Sequence, residues 1–434
     1  MNRIFNFNQK FFIRIPIFIS VLFLILISLS ILKYAGNFES DFLGVTLSRL
    51  QKQMIWIFLG SFTFLIVQFV RIRFLNEKMF LLYGLFIILI SLPFFSEATK
   101  GAQNWFLGFQ PSEIGKLIVV IALAKILSDY KKYINNIFFL LLSVLIILVP
   151  VSIFVLQKDL GTALVYSFMF IPMVYWAGIK PAFIFLILSP IFTVYTVLSF
   201  NIYDAYSINS LWPDILLISL ILFSFFFLLK IFVDKKSTFI FKTIFILLYL
   251  ILNLSFSVIS DFSWSKLEFS ESRRAVDLRG RIENFVIPSL NPNAGGWQIK
   301  QSMVAVGSGG LFGVGLGEGT QVKLQFLPEA DTDFIISSIA EALGFLFIFA
   351  IILLYILLFY WLLVYAQRAS TDFSSLIIIG YASILFAHSI ITLGMAVALA
   401  PVTGIPAPFL SYGGTFTISC FSMLGICNNI SNNG

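Results

Sequence analysis

Charged residues are scarce in this chain of 434 residues. They make up 11% of the sequence, whereas soluble domains carry about 25%, and hydrophobic residues reach 59%. This composition excludes a water-soluble fold. The formal net charge of +7 does not indicate a nucleic-acid partner, because lysine and arginine form short clusters at the ends of apolar runs and not a basic face.

Cysteine and histidine are also nearly absent. Cys420 and Cys427 lie on one face of the same expected helix, so they cannot bridge each other within that helix. His388 is the only histidine, and a lone imidazole within a span is more often a hydrogen-bonding group between helices than a ligand or proton relay. Without a cluster of His and Cys, no transition-metal site is expected. Carboxylates near the outer surface leave one cofactor to consider, a divalent cation such as Mg²⁺ held against a diphosphate.

Long apolar runs, in contrast, are abundant. Most span about 18 to 22 residues, which is the length that a helix needs to cross a hydrocarbon core of about 30 Å. They lack the alternation of apolar and polar residues that is typical of membrane strands. The sequence predicts an all-α polytopic membrane protein with about twelve transmembrane helices. The expected spans are residues 15–32, 54–70, 79–95, 113–130, 137–156, 162–178, 181–199, 212–232, 239–259, 335–364, 376–398 and 411–428.

The distribution of basic residues predicts the orientation of these spans. Three basic residues precede the first run and no clear cleavage site follows it, so we interpret this run as an uncleaved first span that starts in the cytoplasm. The loops that then fall inside carry further lysines and arginines, as the positive-inside rule requires. Both chain ends are therefore expected in the cytoplasm. The inside loops hold Arg71, Arg73, Lys78, Lys131, Lys132, Lys180, Lys235, Lys236 and Arg368.

One long stretch without a span, residues 260–334, is expected on the outer side. A loop of this length is usually functional or disordered. Its glycine-rich part, residues 307–319, lacks the Gly-Lys-Ser/Thr ending of a nucleotide-binding loop. The glycines allow two interpretations. They let backbone amides approach an anion, or they let a re-entrant segment bend where it is shielded from lipid.

Acidic and polar motifs converge on the same outer side. Glu329, Asp331 and Asp333 immediately precede a span that contains Glu341, and ionisable groups at this depth are usually functional. Helix capping by Thr332 or Asp333 is the structural alternative. The other outer motifs are residues 110–116, where Glu113 and Lys116 are spaced to neutralise each other, the turn 157–162, and the Pro/Gly-rich segment 401–414.

Taken in order, these motifs resemble the SEDS family (shape, elongation, division and sporulation), membrane glycosyltransferases that polymerise peptidoglycan. Residues 319–321, 326–329 and 401–406 are more similar to the branch that acts in cell elongation than to the division branch. The matching segments are Gly101-Ala-Gln-Asn-Trp105, Gln110-Pro-Ser-Glu113 with Lys116, residues 157–162, Gln301-Ser302, Gly307-Ser-Gly-Gly310, Leu327-Pro-Glu329, Thr332-Asp-Phe334 and Ser411-Tyr-Gly-Gly414.

The resemblance implies that the chain joins lipid II units and releases an undecaprenyl diphosphate at the outer face of the bacterial cytoplasmic membrane. It also implies a class B penicillin-binding protein as the crosslinking partner. The family usually has ten spans. We therefore interpret residues 1–434 as a single membrane domain in which residues 201–259 contain an inserted helix pair and residues 260–334 form the catalytic-type loop.

One departure from the family pattern concerns catalysis. The proposed family base is an aspartate in an Asp-Pro-x-Gly-x-Gly-aromatic motif, and this sequence has Asn291 at that position. An amide cannot accept the proton of a hydroxyl, and loss of a general base typically costs about 10² to 10⁴ in rate. Three explanations stay open: a neighbouring acid such as Glu283, Asp277 or Asp333 is the base, the protein is a degenerate member, or the change was introduced to silence it.

The motifs and the resemblance together define the candidate site. The catalytic candidates are Asn291, Glu113, Lys116, Asp159 and Asp333. The substrate-binding candidates are Gln110, Trp105, Lys300, Gln301, Ser302, Ser308, Glu329, Ser411 and Tyr412.

Two other functions stay open at this point. Glu341, Lys125 and His388 within spans would suit a flippase or transporter of lipid-linked precursors. Asn291 would suit a catalytically weak scaffold for the crosslinking partner.

Overall fold

The structure, a computed structural model, is predominantly helical. It describes residues 14–35, 39–42, 45–96, 103–106, 108–133, 137–208, 211–233, 239–268, 279–280, 283, 286–287 and 295–433. The helices are α1 Ile15–Ala35, α2 Arg49–Val67, α3 Ile72–Ser91, α4 Pro111–Asp129, α5 Ile137–Leu156, α6 Leu160–Trp176, α7 Pro181–Ala205, α8 Trp212–Val233, α9 Phe239–Glu268, α10 Gly295–Gly309, α11 Thr320–Lys323, α12 Ile335–Arg368, α13 Asp372–Ala396 and α14 Gly414–Asn433. Short 3-10 helices cover Leu92–Phe95 and Lys131–Tyr133.

The predicted polytopic all-α membrane architecture is confirmed. Each of the twelve predicted spans overlaps one long helix, because runs of apolar residues satisfy their own backbone hydrogen bonds only as helices in lipid. Within the described ranges, seven helices are long and apolar enough to cross a membrane. The number of spans and the cytoplasmic placement of both ends stay predictions.

A small antiparallel hairpin, β1 Glu39–Phe42 and β2 Val45–Ser48, adds to the predicted helices. It leads directly into α2. Ser48 forms a capping box at this junction: its Oγ accepts a hydrogen bond from the Gln51 amide, and the Gln51 side chain accepts one from the Ser48 amide. The Ser-x-x-Gln pattern therefore sets the point where α2 begins.

The chain forms two compact units. The first comprises residues 1–178 and 298–434, and α13 lies at its centre, packed against α4, α6, α12 and α14. Its α2 and α14 approach closely because small residues lie at their contact: a Cβ at Gly60 would lie 2.5 Å from the Phe421 ring. At the end of the same pair, Asn429 donates to the carbonyls of Val67 and Val70.

The second unit comprises residues 179–297 and is built mainly on α7, α8 and α9. Polar side chains join two of these helices: Asn253 donates to Ser189 Oγ over 2.9 Å and accepts from Thr193 Oγ1 over 2.5 Å. Such hydrogen bonds hold helices together where water is absent. The assignment of residues 201–259 as an insertion stays a prediction.

Candidate functional site

A buried ion pair between Glu113 and Lys116 lies in the first unit, and Lys116 also donates to a histidine. Pro111 starts α4, and one turn later Lys116 Nζ donates to Glu113 Oε1 over 2.7 Å and to His388 Nε2 over 3.0 Å. An ammonium group only donates, so Nε2 accepts and the ring proton lies on Nδ1, which donates to the Pro406 carbonyl over 2.9 Å. The three side chains therefore join α4 and α13 to the Pro/Gly-rich segment.

This ion pair is closed to the surface. Lys116 is 1% exposed, and its ammonium lies 5.0 Å from the centre of the Phe416 ring, which also stacks on His388. Charges at this depth persist only when they are paired and hydrogen-bonded. Glu113 and Lys116, predicted as catalytic residues, thus make a structural link between helices in this conformation. Their predicted catalytic role stays a prediction.

Asp159 organises the neighbouring outer turn. It caps α6, with Oδ1 accepting from the Thr162 amide over 3.1 Å. Its Oδ2 accepts from Asn104 Nδ2 over 2.7 Å and from Gln110 Nε2 over 3.2 Å. Two of the predicted site residues, Gln110 and Asp159, therefore meet directly. Trp105, in the same loop, is 39% exposed.

A second charge pair, with a buried Asp331 and a half-buried Arg49, holds the acidic motif against the Pro/Gly-rich segment. Arg49 forms an ion pair with Asp331, which is 2% exposed, and the guanidinium lies 5.7 Å from the centre of the Tyr412 ring. Burial raises the pKa of Tyr412, and the positive charge of Arg49 opposes that shift. Ser411 Oγ donates to the Thr332 carbonyl over 2.6 Å.

Arg49, like Asn104, is a residue of this site that sequence reasoning missed. It is a basic residue at the start of α2, three residues before Lys52, and sequence alone interprets it as a flanking charge of a span. Its partner Asp331 lies 282 residues away. Only the tertiary contact shows that Arg49 belongs with the acidic motif.

The remaining acids of the motif lie beside this pair. Glu329 Oε2 accepts from Thr332 Oγ1 over 3.1 Å, and Glu329 has a positive φ of 51°. Asp333 faces Gly404, where a Cβ would lie 3.7 Å from Oδ2. Capping of α12 by Thr332 or Asp333 is not observed, since α12 follows Phe334 without a side-chain cap.

The motifs that are predicted for the outer side lie close together in the structure. A Cβ at Gly161 would lie 2.3 Å from the Thr403 carbonyl oxygen, so the turn at Asp159 packs against the same segment that contacts Asp333. Segments that are hundreds of residues apart in sequence form one polar cluster. We call residues 103–106, 108–110, 157–162, 329–333 and 401–412, together with Arg49, the outer polar cluster.

The predicted binding residues on α10 divide into buried and exposed positions. Ser302 is fully buried and donates to the Ala396 carbonyl over 2.9 Å, which ties α10 to the end of α13. Ser308 donates to the Ala305 carbonyl within α10 itself. Lys300 is exposed and Gln301 is half-buried. Lys300 is consequently the accessible cation among the predicted site residues of this helix.

Of the acids considered as replacements for the family aspartate, Glu283 belongs to the second unit. Its Oε1 accepts from Arg279 Nε over 2.6 Å and from the Tyr206 hydroxyl over 2.9 Å. The hydrogen bond to Glu283 raises the pKa of Arg279, and burial followed by the same carboxylate raises the pKa of Tyr206. Asp277 and Asn291 lie outside the described residues.

The ionisable residues that would suit transport each have protein partners. Glu341 accepts from the amides of Gln321 and Val322 at the start of α11. Lys125 donates to Asn76 over 2.6 Å and pairs with Asp129. His388 bridges Lys116 and Pro406, as described above. Across the described ranges, no group of three or more His, Cys, Asp or Glu side chains is arranged to hold a metal ion.

Comparison with known proteins matches nearly the whole chain. A family model described as cell cycle protein (FtsW, RodA and SpoVE) matches residues 9–214 and 207–434. The peptidoglycan glycosyltransferase RodA of Treponema pallidum is 28% identical over 418 residues, which cover 92% of this chain and 93% of that protein. The peptidoglycan glycosyltransferase MrdB of Escherichia coli K12 is 41% identical over 152 residues, which cover 35% of this chain and 41% of MrdB.

Solved structures show the same fold. A peptidoglycan synthase complex contains a chain with a TM-score of 0.67 at 20% identity, covering 98% of each chain. The rod shape determining protein RodA of Thermus thermophilus gives a TM-score of 0.58 at 21% identity, covering 99% of each chain. With the family model matching from residue 9 to the last residue, this chain belongs to the FtsW/RodA/SpoVE family of cell cycle proteins.

Proposed function

We propose that this chain is a peptidoglycan glycosyltransferase that joins lipid II units into glycan strands at the outer face of the bacterial cytoplasmic membrane during cell elongation. The observation that carries this proposal is the family match over residues 9–434, together with a relative named as such an enzyme that aligns over 93% of its length. The outer polar cluster supports it, because its acids and amides lie on one face of a membrane protein.

The reaction sets three physical requirements. It needs a base for the acceptor hydroxyl, positive charge for the leaving diphosphate, and access from the bilayer for a lipid tail. Lys300 is exposed and suits the second requirement, whereas Lys116 is buried and already bonded to Glu113 and His388. A divalent cation such as Mg²⁺ bound to the diphosphate would supply the remaining positive charge.

Because Asn291 occupies the position of the family aspartate, the proposed mechanism needs another residue as the base. Asp333 is the candidate acid in the outer polar cluster, beside Gly404. Glu283 is committed to Arg279 and Tyr206. If Asp333 is the base, the chain polymerises lipid II as it stands. If no acid replaces the aspartate, the chain is a weak enzyme that positions its partner, and this is the second candidate function.

The deciding experiment measures glycan strands made from purified lipid II. We compare the natural chain with Asn291→Asp, each alone and with a class B penicillin-binding protein. Restoring the aspartate is expected to raise the polymer yield by about 10² to 10⁴ where Asn291 limits the rate. If the chain is active as it stands and Asn291→Asp leaves the polymer yield unchanged, another residue is the base. In that case we expect Asp333→Asn to abolish activity.

The absence of strands from both chains, with and without the partner, would contradict the polymerase assignment. A yield that appears only in Asn291→Asp identifies the natural chain as the weak scaffold. The crosslinking partner is part of the proposal because the structural relative belongs to a complex that coordinates polymerization and crosslinking.

A further inference from the structure

The glycine-rich segment is built into a break of α12. Gly344 has φ 79° and ψ −178°, so the hydrogen-bond ladder of the helix is interrupted there. The segment pairs with the backbone groups that the break releases. The four hydrogen bonds run from Val314 N to Glu341 O (3.0 Å), Gly315 N to Ala342 O (3.0 Å), Phe345 N to Gly310 O (2.9 Å) and Leu346 N to Leu311 O (3.2 Å).

Glycine is required on both sides of this contact. A Cβ at Gly313 would lie 2.3 Å from the Ala342 carbonyl oxygen, and a Cβ at Gly344 would lie 2.3 Å from the Gly313 amide nitrogen. Both residues also have positive φ. The segment is therefore held at a fixed position along the axis of α12. Where α12 lies relative to the membrane determines where the segment lies.

Two observations indicate the depth of the segment in the membrane. The 24 residues of α12 beyond the break, 345–368, extend about 36 Å, slightly more than a hydrocarbon core of about 30 Å. Gly344 thus lies at the boundary of the core. Independently, a Cβ at Gly317 would lie 2.9 Å from the Tyr34 ring, at the end of the apolar span of α1. Tyrosine is enriched at this boundary in membrane proteins.

The side chains at this height are apolar and uncovered. Phe312 is 78% exposed and Leu311 is 60% exposed, while Val314 and Leu316 are 44% and 38% exposed. No charged residue occurs between Lys300 and Glu318. We call residues 311–316 the apolar wedge.

The surroundings of the apolar wedge favour lipid as its occupant. It is hydrogen-bonded to the part of α12 where Phe345, Leu346 and Phe347 are exposed, so it continues the lipid-facing surface of a span. The charges nearest to it are Lys300 and Glu318, and Glu318 pairs with Lys323 over 3.2 Å. Lys300 is exposed and suits the phosphates of lipid headgroups.

We propose that the apolar wedge inserts into the acyl-chain region of the adjoining membrane leaflet and anchors the loop that carries α10 and α11. This role is separate from sugar transfer. It holds α10 at a fixed depth, so that Lys300 lies at the headgroup level.

Site-directed spin labelling of the full chain in lipid nanodiscs tests this. The two native cysteines are fully buried, so a single introduced cysteine takes the label. Phe312→Cys is the test position. Leu353→Cys, on the exposed face of α12, is the matched lipid control, and Glu318→Cys is the matched polar control. Collision with oxygen reports lipid, and collision with a water-soluble nickel chelate reports water.

At position 312 we expect oxygen collisions to exceed nickel collisions, with a depth between those of positions 318 and 353. Nickel accessibility equal to that at position 318 would place the wedge in water and overturn the proposal. Low accessibility to both reagents would show a protein cover, such as a second copy, and would also overturn it. Val314→Cys, labelled in the same way, must give the same result, which guards against a local disturbance at Phe312.

Discussion

Buried charges in this protein are stabilised by specific partners, some on the same helix and some from distant segments. Lys116 has both its carboxylate and its histidine partner within 3.0 Å, and Asp331 has Arg49. Removing water from such groups costs several kcal/mol per ion, of the order that pairing and hydrogen bonds return. At the residue scale, these contacts therefore add little net stability. The contacts of Lys116 with His388 and of Arg49 with Asp331 instead specify which segments pack together.

The Glu113–Lys116 pair gives a stability prediction. Glu113→Gln leaves the Lys116 ammonium buried without a carboxylate, and breaking a buried pair in this way costs about 3–5 kcal/mol. We expect a lower midpoint in thermal unfolding of the purified protein in detergent. The double variant Glu113→Gln with Lys116→Gln removes both charges and should recover most of the loss. A single variant as stable as the natural chain would contradict this assignment.

Sequence reasoning reached the acids of the outer polar cluster but only some of their partners. The spacing of Glu113 and Lys116 on one helix predicted their pairing, because residues three apart share a helix face. Arg49 and Asn104 carry no such local signal. They become site residues only through Asp331 and Asp159, which lie far from them in sequence.

At the scale of elements, α12 and the glycine-rich segment form one hydrogen-bonded structure. The sequence left two interpretations of these glycines, a backbone approach to an anion and a bend in a re-entrant segment. The observed hydrogen bonds of residues 310–315 with residues 341–346 correspond to a bend, because amides of the segment are used by α12 carbonyls, but the side chains of Leu311 and Phe312 are not shielded. Nothing in the local pattern of α12 predicted the break at Gly344, which is followed by a long apolar run.

Gly344→Ala tests the pairing of α12 with the glycine-rich segment. A side chain at φ 79° and ψ −178° costs about 1–3 kcal/mol, and its Cβ would also collide with the Gly313 amide. We expect a clear drop in the thermal unfolding midpoint. Gly84→Ala is the matched control, since a Cβ there meets nothing within 4 Å and alanine favours the interior of α3 by about 0.5–1 kcal/mol. Equal effects of the two variants would refute the explanation.

The contact between α2 and α14 gives a second prediction at this scale. Asn429 is fully buried and donates to the carbonyls of Val67 and Val70 at the end of α2, where the Val67 carbonyl also accepts from the Val70 amide. Asn429→Ala removes both hydrogen bonds and leaves the partly buried Val70 carbonyl without this donor, at a cost of about 1–3 kcal/mol. Thr63→Ala, which removes only a bond to the Gly60 carbonyl within α2, should change unfolding far less.

For the whole molecule, the orientation in the membrane is the property that matters most for function. The basic residues of the inner loops predict that both termini lie in the cytoplasm. A protease-sensitive tag at either end should therefore be cut only after the membrane of intact spheroplasts is permeabilised. Cleavage in sealed spheroplasts would place the outer polar cluster on the cytoplasmic side and would remove the basis of the proposed reaction.

The membrane class, the positions of the long helices and the family follow from the amino-acid sequence without the fold. These depend on local length, on apolar composition and on short motifs, which need no tertiary contact to be recognised. Tertiary structure alone decided which predicted residues are reachable: Lys116 is sealed between α4 and α13, whereas Lys300 is exposed. Burial depends on what distant segments bring to each side chain, and the partner of Lys116 on α13 lies 272 residues away.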